Sequence, residues 1–319
     1  MTSVPPPLTR PELPDGAVPG GRAAAPVDGT APFRWWAAPA AIVLGLGLGL
    51  IGDIVVSIIG AAGGANVSHP GPAVNIAADV VFDLGFVAAA IYIARVLGWT
   101  APRAFGFRRA SLGRVLWMLP LAAVVYFTAT AAYASLLNLH GSEQLPKGLG
   151  SPKDTAAMIG VGVFVTVIAP ICEEFFFRGF IFGQLRSWLR SRWWGPWVAA
   201  ILSGLLFGAA HTGSAAVKYL VPLAFLGFVL CIVRWKTGSL YPGMAMHSVN
   251  NSLAFGIDEL HWNAAKLLAM ALLALGAITA IAGPIGWHET AVEAPGTDGG
   301  GAAPTAAAAA GGSAGPPGV

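Results

Sequence analysis

Apolar sequence runs almost unbroken from Trp35 to Ile285, and this run limits the chain to a membrane-embedded fold. Only 10% of the 319 residues are charged, against about a quarter in ordinary soluble domains, and the mean hydropathy is +0.68. A water-soluble enzyme does not fit this composition. The run predicts an all-α fold, a polytopic bundle of transmembrane helices.

Eight apolar segments are each near the length of about 20 residues that a helix needs to cross a bilayer core. They cover residues 35–60, 73–97, 114–138, 156–185, 194–213, 217–235, 238–256 and 264–285. The predicted membrane domain is therefore 35–285. Residues 1–34 are rich in Pro, Gly and Ala, and 286–319 form a low-complexity Gly- and Ala-rich tail. Both tails are predicted to be disordered.

Basic residues concentrate in alternate loops, after the second, fourth and sixth segments. They are Arg103, Arg108, Arg109, Arg114, Arg186, Arg190, Arg192, Arg234 and Lys236. Because Lys and Arg mark cytoplasmic loops, the pattern predicts eight spans with both termini in the cytoplasm. The Ala- and Gly-rich composition hints at a GC-rich bacterial genome, so we expect a bacterial cell membrane. A net charge of +3 is too small to indicate nucleic acid, and the expected non-protein partner is membrane lipid.

Polar side chains inside apolar segments are functional candidates, because they cost several kcal/mol in lipid unless they are paired or face water. The fourth segment contains Glu173, Glu174 and Arg178, the fifth ends in His211, and the seventh contains His247 and Asn251. The four-residue spacing predicts a Glu174–Arg178 ion pair that leaves Glu173 unpaired. The first two segments contain Asp53, Asp79 and Asp83, for which we expect structural pairing or a water-filled vestibule.

The polar groups of three segments are expected at a similar depth. At about 1.5 Å per residue, Glu173 and Asn251 lie roughly 20 Å, and His211 roughly 25 Å, from the ends that carry the basic loops. A carboxylate, two imidazoles and a carboxamide can activate a water molecule and stabilise an oxyanion, as amide hydrolysis requires. They equally suit one divalent metal ion such as Zn.

Three motifs follow one another along the chain: Glu-Glu-x-x-x-Arg from Glu173, Phe-x-x-x-His ending at His211, and His-x-x-x-Asn from His247. Together they resemble the CPBP family of intramembrane proteases, also called the CAAX-protease and bacteriocin-processing or Abi family. The small Gly179 after the arginine also fits. The resemblance covers roughly residues 156–256, a CPBP-like catalytic core, and the other segments do not contribute to it. It implies an endopeptidase similar to those that trim prenylated CAAX proteins.

The resemblance also implies roles for the site residues. Glu173 and His211 would deprotonate a water molecule that attacks the scissile carbonyl, and His247 and Asn251 would line the oxyanion site. The family was long called intramembrane metalloproteases, while later views favour glutamate-dependent hydrolysis. The cofactor therefore stays open: none for the glutamate route, or one divalent metal such as Zn. The implied partner is a peptide or protein substrate, with or without lipid modification.

The Glu174–Arg178 pair is implied to be structural, holding the fourth segment in register near the site. Two other functions stay open. Acidic residues and histidines inside membranes also form proton pathways, so a proton-coupled transporter is one alternative, although no inverted repeat supports it. A non-catalytic scaffold or immunity protein is the other, although the complete motifs argue against pure scaffolding.

Overall fold

The computed structural model describes residues 33–99, 101–138 and 155–292, which form helices and no β-strand within these ranges. The helices are α1 (Ala37–Ala62), α2 (Pro72–Val96), α3 (Pro102–Phe105), α4 (Leu112–Leu136), α5 (Thr155–Trp188), α6 (Gly195–Ala210), α7 (Val217–Thr237), α8 (Tyr241–Ala254) and α9 (Ala264–Val292). A π-helical turn, Phe255–Glu259, continues α8. The predicted all-α class is confirmed.

Each of the eight predicted apolar segments coincides with one helix, α1, α2 or one of α4 to α9. Within the described ranges, six helices are long and apolar enough to cross a membrane: α1, α2, α4, α5, α7 and the Ala264–Gly286 part of α9. Helix α6 is apolar but has only 16 residues, and α8 has 14 before its π-helical turn. The chain is therefore a multi-pass membrane protein, and full crossings by α6 and α8 stay predictions.

Proline and glycine set several of the helix ends. Pro72 begins α2, and Pro196 and Pro242 occupy the first turns of α6 and α8, where a missing N–H costs no helical hydrogen bond. Helix α7 ends at Gly238, which has a left-handed φ of 72°. Only residues 238–240 separate α7 from α8.

The predicted basic loops meet at one end of the bundle, here called the basic end and defined by Arg108, Arg186 and Arg234. Arg108 Nε donates a 2.6 Å hydrogen bond to the carbonyl oxygen of Gly238. Arg234 Nη2 donates a 3.0 Å bond to the carbonyl oxygen of Phe105. The loops after α2 and α7 are therefore joined directly. The alternation of the basic loops fits this arrangement, and the side of the membrane that they face stays a prediction.

The opposite end contains the loop after α6. There the Tyr133 hydroxyl, near the end of α4, donates a 3.1 Å hydrogen bond to the carbonyl oxygen of Lys218, at the start of α7. Close packing fixes α6 beside α7, because a Cβ on Gly204 would lie 2.7 Å from the Ala224 carbonyl oxygen. This packing positions His211, the first residue after α6.

The predicted tails fall mostly outside the described residues. Helix α9 continues to Val292, seven residues past the predicted end of the membrane domain at residue 285. Residues 1–32 and 293–319 lie outside the described ranges. The proposed division into 1–34, 35–285 and 286–319 therefore stays a prediction.

Helix α5 is interrupted by two π-helical stretches, Phe164–Ile168 and Glu174–Ile181. Such stretches widen the helix and are frequent at functional sites. The second begins between the two adjacent glutamates and includes Arg178. The side chains of this stretch therefore point in directions that differ from those in a regular α-helix.

Candidate active site

A cavity of about 340 Å³ lies among α2, α5, α6 and α8. Its wall includes Glu173, His211, His247 and Asn251, the four residues predicted to form the site. Three sequence-distant helices thus deliver their polar side chains to one chamber. Their catalytic roles stay predictions, because proximity alone assigns no chemistry.

A chain of charged contacts holds His247. Its Nδ1 lies 3.1 Å from Glu174 Oε1, and the same oxygen lies 2.9 Å from Arg178 Nη1. The side chains of Glu174 and Arg178 are fully buried, so the predicted ion pair is present. Because a carboxylate paired with arginine only accepts hydrogen bonds, Nδ1 of His247 must carry the proton. The tautomer and orientation of this ring are therefore set by Glu174.

The backbone of α8 is shaped to receive this carboxylate. A Cβ added to Gly243 would lie only 2.7 Å from Glu174 Oε2, closer than real Cβ contacts allow. Gly243 thus leaves room for the Glu174 carboxylate against the backbone of α8. Motif spacing did not reveal the contact between Glu174 and His247, because it joins residues 73 positions apart.

Glu173 faces the other nitrogen of the same ring. Its Oε2 lies 3.7 Å from His247 Nε2, which is beyond hydrogen-bond distance, and its side chain retains 19% of its exposure. This oxygen has no hydrogen-bond partner among the described residues. Glu173 therefore presents an acceptor to the cavity.

His211 is oriented by the backbone of its own helix. Its Nδ1 lies 2.8 Å from the carbonyl oxygen of Phe207, which can only accept, so Nδ1 carries the proton and Nε2 keeps a free lone pair. The Phe207 ring contacts His211 at 4.8 Å and His247 at 5.7 Å between ring centroids. Arg178 lies over the same ring at 4.2 Å. Phe207 thus packs against both imidazoles and stabilises the buried Arg178 guanidinium.

Asn251 is held by two hydrogen bonds. Its Nδ2 donates a 2.8 Å bond to the carbonyl oxygen of Val165, and its Oδ1 accepts a 3.2 Å bond from Asn250 Nδ2. A carboxamide nitrogen has two hydrogens. The second hydrogen is available to a group in the cavity.

Acidic residues from outside the motifs also line the cavity. Asp79 and Asp83 from α2, and Glu259 from the turn after α8, join Glu173 in its wall. The sequence singled out Asp79 and Asp83 because they lie inside an apolar segment. It does not show that α2 packs beside α5. Asp53 is not part of this wall.

The described residues do not contain a group of three or more His, Cys, Asp or Glu side chains arranged to hold a metal ion. Nδ1 of His247 contacts Glu174 and Nδ1 of His211 contacts a backbone carbonyl, which leaves the Nε2 atom of each ring toward the site. The cofactor requirement itself stays a prediction.

Comparison with known proteins agrees with the geometry. Residues 155–253 match the family model for type II CAAX prenyl endopeptidase Rce1-like proteins. Over these residues the chain is similar to the Rce1-like family. The Rce1-like segment runs from the start of α5 almost to the end of α8 and contains all four predicted site residues. The family resemblance seen in the sequence is thereby confirmed.

Two curated relatives extend the similarity. An uncharacterized 24.3 kDa protein of Escherichia coli is 28% identical over 149 residues, 47% of this chain and 66% of the relative. The UPF0177 protein YxdF of Lactococcus lactis is 25% identical over 145 residues, 44% of this chain and 75% of the relative. The match thus spans about two thirds to three quarters of these relatives. No solved structure matches the chain.

Proposed function

We propose that the protein is an intramembrane endopeptidase that hydrolyses a peptide bond in a hydrophobic or membrane-associated substrate. The observation that carries the proposal is the convergence of Glu173, His211, His247 and Asn251 on one cavity within the Rce1-like segment. The family description names a peptide hydrolase, which supports this reaction class.

The first step is attack by water. Glu173 Oε2 and His211 Nε2 are acceptors without a hydrogen-bond partner among the described residues, so both can orient a water molecule, and Glu173 takes one of its protons. The water oxygen then bonds to the scissile carbonyl carbon, and the carbonyl electron pair moves to its oxygen. The product of this step is a tetrahedral oxyanion.

The second step needs donors aimed at that oxyanion. The second N–H of Asn251 is one such donor. Nε2–H of His247 is the other when the ring is protonated, since Glu174 accepts from its Nδ1. Collapse of the intermediate re-forms the carbonyl, breaks the C–N bond, and passes the proton held by Glu173 to the departing amine. Atoms and charge then balance.

The cavity wall supports a substrate with a bulky apolar group. Phe82, Phe86, Phe164 and Phe176 line the chamber beside the polar groups. The Rce1-like description refers to prenylated CAAX substrates, so a farnesylated peptide ending in a CAAX sequence is the first probe. The same peptide without the farnesyl group tests whether the lipid is needed.

The test is cleavage of both peptides by purified protein, with products identified by mass. The proposal predicts one cut in the wild type and a loss of about 100-fold or more in His211→Ala, because a positioned acid–base group contributes about 100- to 10,000-fold. Asp53→Asn removes a carboxylate in α1 that lies outside the cavity wall and should cleave normally. Equal cleavage by wild type and His211→Ala would show that the proposed site is not the catalytic site.

A proton-coupled transporter is the second candidate, and the acidic wall of the cavity favours it. Asp79, Asp83 and Glu259 lie there with Glu173. In proteoliposomes, a transporter would move a peptide in response to a pH gradient without changing its mass. A non-catalytic scaffold or immunity protein would do neither. Cleavage that is independent of the gradient identifies the peptidase.

A further inference from the structure

Three arginines converge at the basic end, far from the cavity. Arg108 follows α3, Arg186 is near the end of α5, and Arg234 is near the end of α7. Arg108 and Arg186 lie within Coulombic range of each other and of Arg234. Arg186 follows Glu173 by 13 residues, which is roughly 20 Å along a helix.

The local backbone holds two of these arginines in place. Arg108 Nε and Arg234 Nη2 each donate to a backbone carbonyl of the facing loop, at 2.6 and 3.0 Å. The Leu240 N–H donates a 2.9 Å bond to the Gly106 carbonyl oxygen and closes the two loops onto each other. A guanidinium has five N–H donors, so most of their donors are not used by these bonds.

The cluster lacks a counter-charge within the described part of the chain. Among the described residues, no carboxylate forms an ion pair with Arg108, Arg186 or Arg234. Arg234 is only 9% exposed, and its Nε has no hydrogen-bond partner there. Burying an unpaired charge beside two like charges is costly. An anion would remove this cost.

We propose that Arg108, Arg186 and Arg234 form a binding site for a phosphate-type anion at the basic end of the bundle. Guanidinium groups match phosphate with paired, charge-assisted hydrogen bonds. The site lies where a helix bundle meets the membrane surface, so the phosphate of an anionic phospholipid and free inorganic phosphate are the two sources. This site is independent of the peptidase proposal.

The experiment uses the full-length protein in two arms. In the first, binding of phosphatidylglycerol to the protein in non-ionic detergent micelles is measured by native mass spectrometry. In the second, the melting temperature is followed as inorganic phosphate replaces chloride at constant ionic strength. Arg108→Gln and Arg186→Gln are the test variants, since both side chains are exposed and their removal does not open the core.

Matched controls remove one charge from the same loops. Arg109→Gln and Arg190→Gln alter exposed arginines next to, but outside, the cluster. We expect each test variant to weaken phosphatidylglycerol or phosphate binding about tenfold, the effect of one charged hydrogen bond, and the controls to bind as wild type. Loss in the first arm alone identifies a lipid, and loss in the second a free phosphate. Equal binding by test and control variants in both arms overturns the proposal.

Discussion

Nδ1 of His247 lies 3.1 Å from Oε1 of Glu174, and this contact makes the second glutamate of the motif a positioning residue for the site. The sequence assigned Glu174 only to a structural pair with Arg178. That pair is present, but its acceptor oxygen also serves the histidine. The Glu174 carboxylate therefore both pairs with Arg178 and orients His247.

A charge-removal pair separates these two roles. Glu174→Gln leaves Arg178 buried without its counter-charge, which costs about 3–5 kcal/mol, so the melting temperature should fall sharply. Glu174→Gln combined with Arg178→Met removes both charges and should recover most of the melting temperature. The double variant should still have a low kcat with little change in KM, because a neutral amide oxygen holds Nδ1–H of His247 more weakly than a carboxylate and does not stabilise a protonated ring. Recovery of kcat together with the melting temperature would show that Glu174 is structural only.

Gly243→Ala should disable the site through one methyl group. The added Cβ would lie 2.7 Å from Glu174 Oε2 and push the carboxylate away from His247. Misplacement of this size can cost about 100-fold in rate, so we expect a large loss of kcat. Gly276→Ala is the control, because a Cβ there meets no atom within 4 Å. Full activity in Gly243→Ala would mean that the Glu174 position is not critical.

Phe207→Leu should lower both stability and activity. The ring packs against Arg178 and both site histidines, and loss of a desolvated cation–π contact costs about 2 kcal/mol. Phe180→Leu is the control, since that ring is equally buried but packs against Trp99. Denaturation in detergent and kcat are measured for both. Identical losses in the two variants would argue against a special role for Phe207.

The two cysteines report whether the cavity is wet. Cys172 precedes Glu173 and lines the cavity, whereas Cys231 is fully buried in α7. In single-cysteine variants, a small water-soluble methanethiosulfonate reagent should modify Cys172 at least about tenfold faster than Cys231, because only accessible thiols form reactive thiolates. Modification of Cys172 should also block cleavage. Equal rates would contradict a water-filled cavity.

Periodicity and charge predicted much of the fold. The long apolar runs predicted the helices, and the alternation of arginines agrees with the loops that meet at the basic end. Both signals are local, because a helix and its buried charges can be recognised from neighbours along the chain. The four-residue spacing likewise predicted the Glu174–Arg178 pair.

Contacts between helices were beyond local spacing. The seat of the Glu174 carboxylate against α8 depends on Gly243, and Glu174 begins a π-helical stretch that no sequence rule marks. Asp79 and Asp83 were recognised as unusual, but their place in the cavity depends on how α2 packs. The sequence thus identified the polar residues and not the network that connects them.

The role of Glu173 in activating water is tested most directly by measuring kcat for cleavage of the farnesylated CAAX peptide by Glu173→Gln. The substitution keeps the size of the side chain and removes the acceptor that takes the proton from water. Glutamate-activated hydrolysis predicts that kcat falls by about 100-fold or more while the protein folds and the peptide binds as in the wild type. Wild-type kcat in Glu173→Gln would contradict it.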